Sequence, residues 1–307
     1  MNIEIVELLN KKDNTEVYEV IYNNELSIFK THFIKENFYR ELHSLKALSK
    51  NKLVPKLVSF KDNFESESFG YLIEEKLAGE TLLNFKKVNN IISEEIIWKC
   101  GFQLGNLNTS LTKVELCESD IWKYYSADNR KLNFSEYEWR DHFYYQIPIW
   151  INTIDKNSIN INFNNLSEFL LKELKKINNG YLGFIHRDYG FRNILTKNNE
   201  ISGIIDYEHS MIGDIFFDTT KLIFNDLDFI KDASLVRKFF DGWKAATNIE
   251  INEKKLWLYL TIQGIGAIQW VDKQKLEINR KNNIGYRNKS IDIVKLGLEN
   301  LKYEGFN

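Results

Sequence analysis

The sequence predicts an α+β protein in which a small antiparallel, β-rich lobe precedes a larger helical one. Three observations predict it. Short alternating runs open the chain, amphipathic helical patterns dominate after residue 93, and one polar hairpin interrupts those helices.

Residues 3–9, 16–22 and 25–31 read as strands separated by KKDNT and YNNE, the second a tight turn. ENFYRELHSLKALS then places Phe38, Leu42, Leu45 and Leu48 on one stripe of a helix over 36–49 that packs on the small sheet. LVPKLVSF is broken by Pro55, and GYLIEEKLAGETL is a buried strand running into a turn at Gly79. Ser93 is a natural N-cap for a helix whose Ile97, Cys100, Leu104, Leu107 and Leu111 share a face. Residues 120–179 read as largely helical and aromatic, with a loop around DKNSININFNN. NILT and ISGIID, joined by KNNE, form the hairpin, and helices fill the rest. The expected division is a β-rich lobe over 1–76, a hinge over 77–80 and a helical lobe over 81–307.

Composition limits the function classes. With 307 residues, 43% hydrophobic and 14% aromatic, the chain can bury a sizeable core. Lys+Arg 41 against Asp+Glu 43 leaves a net charge of -2, without the footprint of a nucleic-acid or anionic-membrane binder. The opening residues lack a signal-peptide pattern and no stretch reaches membrane-spanning length. Cys100 and Cys117 have no metal-ligand companions at useful spacing, so a reduced cytoplasmic protein is expected. Abundant Asn and Lys reflect a biased genome, and no repeat is visible.

The strongest chemical signal is His186-Arg187-Asp188-Tyr-Gly-Phe-Arg-Asn193, followed by Asp206 at the end of the second hairpin strand. Phosphoryl transfer needs a carboxylate to orient the acceptor hydroxyl and take its proton, and oxygen ligands to hold Mg²⁺ against ATP phosphates. Asp188, Asn193 and Asp206 offer those groups, and the return strand brings Asp206 back beside Asn193. Hard oxygens without thiolates favour Mg²⁺ over zinc. Taken singly, each residue reads first as a turn residue, a strand terminator or a core histidine; together on one loop–strand–turn–strand frame they favour the catalytic reading.

A second signal is Lys30, which shares a strand face with Leu26 and Ile28 and extends from an apolar surface. At about 100° per residue, Glu41 falls between Leu45 and Leu48, inside the apolar stripe, whereas Glu36 points away. An ion pair aligning Lys30 with the α- and β-phosphates gives that charge a reason; a carboxylate at the stripe's edge is the alternative. GYLIEEKLAGETL could also hydrogen-bond adenine through the backbone near Glu75 and Leu77.

These residues resemble the aminoglycoside phosphotransferase and choline kinase superfamily, whose members share a two-lobed protein-kinase-like fold. The similarity runs from about Asp13 to Asp218: DNTEVYEV resembles the nucleotide-loop strand, IFK the phosphate lysine, FYRELHSLKAL the helix glutamate, HRDYGFRNIL the catalytic loop and ISGIIDYEHSMIGDIFFD the metal segment. The resemblance implies Asp188 as base, Asn193 and Asp206 as Mg²⁺ ligands, and Lys30 with Glu41 as the pair positioning ATP. KKDNT lacks the expected glycines, so Asn14 and Thr15 serve there. Arg187 stands where a small residue is common, and Asn108 where His is frequent. A protein kinase proper is disfavoured, because Tyr-Glu rather than Phe-Gly follows Asp206. Asp214 and Asp218 read as structural, Asp218 as the cap of the helix beginning TTKL; Glu208 reads as a metal or acceptor contact, or as a solvated turn residue.

The implied function is ATP-dependent phosphorylation of a small-molecule hydroxyl, with an aminoglycoside-like antibiotic as favoured acceptor. Choline, homoserine or sugar kinases and a non-catalytic pseudokinase are the alternatives. Trp122, Tyr124, Tyr125, Trp139, Tyr144, Tyr145, Trp243 and Trp270 would line the acceptor cleft or form ordinary core. Glu136, Glu138 and Asp141 form an acidic cluster that could attract a cation, or a solvated helix face, as does KQKLEINRKNN. The sequence does not specify an oligomeric state.

Overall fold

Two asparagine pairs set the hairpins. Asn23 and Asn24 (φ 51° and 66°) join β2 (Thr15–Tyr22) to β3 (Glu25–His32), and Asn198 and Asn199 (φ 53° and 62°) join β8 (Ile194–Lys197) to β9 (Glu200–Ile204). Two successive left-handed residues match the twist of the flanking strands, and Asn tolerates that conformation. In the computed structural model, which describes residues 3–12, 14–62, 68–124, 138–156, 159–177, 180–229, 231–274 and 280–304, these turns anchor an α+β architecture.

The first sheet is antiparallel in the order β1-β2-β3-β5-β4, with β1 at Ile3–Lys12, β4 at Leu57–Asp62 and β5 at Gly70–Glu75. Helix α1 (Lys35–Ala47) packs on it, burying Phe38, Leu42 and Leu45 as the stripe predicts. Burial along β3 rises towards His32, where the helix covers it. Leu26, expected on the apolar face with Lys30, lies at the uncovered end and is 47% exposed.

After Glu75 the chain passes Gly79, whose φ of 122° and close approach to Thr196 exclude a side chain, and enters β6 (Glu80–Thr81). Thr81 caps α2 (Leu82–Asn89) and Ser93 caps α3 (Glu94–Asn108) through its hydroxyl, as expected. Ile97, Cys100, Leu104 and Leu107 are buried; Leu111 lies beyond the helix end, packed against the core. Helix α3 lies against α8 (Ala233–Thr247) so closely that a Cβ on Gly101 would strike the Phe239 carbonyl and one on Gly242 the Trp98 carbonyl. Short α4 (Lys113–Glu118) and a 3₁₀ turn (Ile121–Tyr124) follow α3.

Between α5 (Asp141–Thr153) and α6 (Leu166–Lys176) the described residues form no α-helix, as the loop around DKNSININFNN predicts. β7 (Leu182–Ile185) pairs with β10 (Met211–Asp214), and α7 (Ile215–Asp226), α9 (Glu253–Lys273) and α10 (Arg280–Asn300) complete the helical region. One continuous apolar core runs from Phe38 beneath the sheet to Leu298 in α10. Among the described residues, no helix is long and apolar enough to cross a membrane.

Candidate active site

The loop from His186 to Asn193 leaves β7 and enters β8, so its ends are fixed by two sheets. Arg187 takes a φ of 63°, a left-handed conformation that the surroundings must enforce. The enforcing group is Asp218. Its buried carboxylate accepts the amides of His186 (2.8 Å) and Arg187 (2.7 Å) and the Asn108 side-chain amide (3.0 Å). Asn108 also donates to the Phe184 carbonyl and accepts the Trp243 indole N–H, which makes it part of the loop's floor. Asp218 is therefore not the expected cap. Helix α7 starts earlier, at Ile215, where Asp214 accepts the Phe216 amide at 3.1 Å.

Asp188 is buried to 3% exposure, and its own loop organises it. Asn193 donates Nδ2 to the Asp188 carbonyl (2.8 Å) and to its Oδ2 (2.9 Å). Arg192 Nη2 donates to the same Oδ2 at 2.5 Å, and Lys221 Nζ stands 3.5 Å from Oδ1. Burial by itself would raise the Asp188 carboxyl, but Lys221 and Arg192 outweigh it and hold the group below its ordinary value, ionised at neutral pH.

Both Nδ2 bonds of Asn193 point at Asp188, which leaves Oδ1 as its uncommitted polar atom. Asp206 is placed beside it by the bond from the Ile205 amide to the Asn193 carbonyl (2.9 Å) and by its own φ of 71°. One amide oxygen and one carboxylate form a hard donor pair that suits Mg²⁺, whose remaining positions are commonly filled by phosphate oxygens and water. Among the described residues no group of three or more His, Cys, Asp or Glu could hold a metal ion, so a thiolate or imidazole site does not compete.

Lys30 joins the sheet to this segment. Its Nζ lies 2.8 Å from Glu41 Oε2 and 2.6 Å from Asp206 Oδ1. Burial would lower it, yet Asp206 and Glu41 raise it well above the ordinary lysine value, so it stays a cation. Glu41, fully buried, also accepts the Tyr207 amide at 3.2 Å and faces His32 Nε2 at 2.9 Å.

The remaining expected positions divide. Asn14 lines the cleft. Thr15, expected to serve phosphates, is buried with its hydroxyl on Glu208 (3.0 Å), because the second strand begins at Thr15 and turns that side chain inward. Glu208 also accepts from Asn37 (3.3 Å), so it is neither a solvated turn residue nor open to ligand on that oxygen. The Glu75 amide is taken by the Lys56 carbonyl at 2.9 Å, and Leu77 sits over Gly203.

A cleft of about 950 Å³ opens beside Asp188 and continues to Trp150, Gln263, Trp270 and Tyr286. Among the described residues, Trp270 is the one expected aromatic that lines it, half exposed. Trp122, Trp139 and Trp243 are core side chains, and Tyr144 and Tyr145 lie outside the lining. Glu138 pairs with Arg140, which reaches the Ile177 carbonyl at 3.1 Å, so it braces α6 instead of facing the cleft. Tyr125 and Glu136, the Tyr124 side chain and much of KQKLEINRKNN lie outside the described residues.

Sequence reading gave no role to Arg192, Lys221 and Asn37, and it read Asp218 as structural without its contacts to the loop. One signal was available for Asp218 and Lys221: with Asn225 they recur at i, i+3 and i+7, one polar face of a helix rich in Ile, Leu and Phe.

The sequence model of the phosphotransferase enzyme family, APH, matches residues 10–251. No curated protein matches the chain by sequence. Among solved structures, the apo form of a thermostable mutant of aminoglycoside phosphotransferase APH(4)-Ia is similar with a TM-score of 0.64 and 15% identity, over 96% of this chain and 95% of that one. A variant of the same protein in ternary complex with ADP and hygromycin B gives 0.62 and 14%, over 95% and 94%. ADP-bound aminoglycoside phosphotransferase APH(2'')-Ib gives 0.60 and 14%, over 95% and 93%. At these identities the likeness is one of fold.

Proposed function

The chain belongs to the phosphotransferase enzyme family, and from that premise we propose that it transfers the γ-phosphoryl group of ATP to a small-molecule hydroxyl, with Asp188 as the base. The observation that carries this reading is the ionised, buried Asp188 at the head of the cleft, with Asn193 bonded to it and Asp206 one backbone bond further on.

Lys30, fixed by Glu41, binds the nucleotide phosphates in this scheme, and Asn14 borders them from the turn before β2. Asn193 Oδ1 and the Asp206 carboxylate would hold Mg²⁺, which supplies neutralisation of phosphate charge when bound. The adenine edge lies by the segment after Glu75, with Leu77 and the backbone carbonyls there as its neighbours. Asp188 receives the acceptor's proton as the hydroxyl oxygen attacks phosphorus and the bond to the β–γ bridging oxygen breaks, releasing ADP. The division into a nucleotide lobe over 1–76 and an acceptor lobe over 81–307 follows from this assignment. A cytoplasmic setting, where ATP is abundant, suits it.

Hygromycin B in the similar ternary complex makes an aminoglycoside the reference acceptor for testing. Acceptor-dependent ADP release should appear with Mg-ATP and one member of a panel of aminoglycosides, amino alcohols, hydroxy acids and sugars. Asp188→Asn should lower it by at least about 100-fold while leaving ATP affinity within about threefold. Transfer that survives Asp188→Asn would exclude this residue as the base.

A further inference from the structure

The acceptor end of the cleft carries a charge pattern that the transfer reaction alone does not require. Arg192, from the loop before β8, and Lys221, from the middle of α7, converge on the two oxygens of a single carboxylate, Asp188. Lys221 is buried along most of its length and, among the described residues, has one carboxylate within ion-pair distance, whereas Lys30 has two. The nucleotide end already has its own cations in Lys30 and Lys12, both on Asp206.

The carboxylates that line the cleft are each engaged by the protein. Asp188 holds Asn193, Arg192 and Lys221; Glu208 holds Thr15 and Asn37; Asp226 accepts the Phe191 amide at 2.9 Å. Lys12, Arg187, Arg192 and Lys221 line the same cleft, so its lysines and arginines outnumber those three carboxylates. Beyond them the wall is amide and aromatic, as at Gln263, Trp270 and Tyr286.

Resting on the kinase reading above, we infer that the acceptor is an anionic hydroxy compound, with Arg192 and Lys221 reading a carboxylate or phosphate close to the hydroxyl that Asp188 deprotonates. Distance fixes how close. The reacting oxygen must come within roughly 3 Å of Asp188, and both cations touch that same carboxylate at 2.5 and 3.5 Å. The anionic group is therefore separated from the reacting hydroxyl by only about two or three bonds, as in an α- or β-hydroxy acid or a hydroxyl vicinal to a phosphate ester. Burial and the neighbouring arginines also hold Lys221 below the ordinary lysine value, so an anion bound beside it would favour its charged form. A planar guanidinium and a compact ammonium together suit either a carboxylate or a phosphate.

The test compares D-glycerate (carboxylate), glycerol 3-phosphate (phosphate), glycerol (neutral) and kanamycin (polycation) as acceptors with full-length protein and Mg-ATP. Acceptor-independent ATP hydrolysis is followed in parallel for wild type, Asp188→Asn, Arg192→Gln, Lys221→Gln and Lys221→Arg, with each fold verified by its thermal transition. Expected is a kcat/KM for one anionic probe at least about tenfold above glycerol, with kanamycin below both. That anion-to-neutral ratio should fall about tenfold in Arg192→Gln and Lys221→Gln and recover in Lys221→Arg, with KM for ATP within twofold of wild type, roughly. The ratio cancels any change in the basicity of Asp188, which acts on both acceptors. Kanamycin outperforming the anions, or a ratio indifferent to both substitutions, overturns the inference. So do unchanged ratios accompanied by a raised KM for ATP, which would assign the two cations to the nucleotide. ATP hydrolysis that requires Asp188 but is neither diverted nor inhibited by any anion overturns the acceptor class and leaves the kinase reading standing; hydrolysis indifferent to Asp188 takes down both.

Discussion

Lys30 and Lys221 each pair with a carboxylate of the proposed site, Asp206 and Asp188, and their surroundings drive them in opposite directions. Lys30 is buried with Glu41 and Asp206 within 3 Å, and those carboxylates carry it well above its ordinary value despite burial. Lys221 is buried with Asp188 as its carboxylate at 3.5 Å, and with Arg192 and Arg187 opposing it the balance falls the other way. Burial weighs against both charges; the number of counter-ions decides the outcome. Among the described residues, one lysine is tied to two carboxylates, the other to a single one.

Removing each lysine should separate the two most sharply. Lys30→Met removes the cation that Glu41 and Asp206 share and should cost about 3–5 kcal/mol in denaturant unfolding. Lys221→Met replaces a poorly compensated charge by a side chain of similar length and should cost under about 1 kcal/mol. Equal losses would break the contrast. Asp218→Ala, one turn before Lys221 on α7, strips the acceptor from two loop amides and Asn108; a loss of about 3 kcal/mol is expected, together with a fall in kcat. Were Lys221→Met to cost as much, the two residues would be acting as one structural unit.

Glu74 sharpens the picture from the Lys30 side. Burial first, then repulsion from Glu41, pushes its carboxyl up to about 8, so at neutral pH it is mostly protonated and adds little to the charge around Lys30. A carboxyl whose folded value lies above its ordinary 4.5 binds more protons in the native state than in the unfolded one. Its contribution is present below the ordinary value and fades as pH rises to about 8. The wild type should lose up to about 1.4 kcal/mol per pH unit within that window, and Glu74→Gln should flatten the slope in thermal melts. The smallest effect is expected for Thr15→Val, which removes one bond to Glu208 and should cost about 1 kcal/mol with ATP affinity little changed; a large loss of affinity would return Thr15 to the phosphates.

Much of this site could be read from the chain because its parts are close in sequence or periodic. Asp188 and Asn193 lie in one short loop, the hairpin returns Asp206 beside them, and Glu41 announces itself as a charge inside an apolar stripe. The same local signals gave the hairpin turns and the Ser93 cap. What the chain did not reveal is which distant partners these polar residues meet. Asp218 works through Asn108, separated by 110 positions, and Thr15 through Glu208, separated by 193. The aromatics failed as site markers for a related reason: hydrophobicity predicts burial for Trp243 and Trp270 alike, and only the packing of α3 on α8 sends the first into the core.

The segment from Asp206 to Ser210 is sewn to the first sheet and α1 at several points: Lys30 to Asp206, Glu41 to the Tyr207 amide, Thr15 and Asn37 to Glu208, and Ser44 to Ser210. His186 and Asn193 grip the neighbouring Ile205 from the other side. The proposed metal-holding strand end is thus clamped from both directions before any nucleotide arrives. Its geometry is settled once, when the chain folds, and each catalytic cycle inherits it, so the tempo of turnover should be set by traffic of acceptor and product through the open half of the cleft.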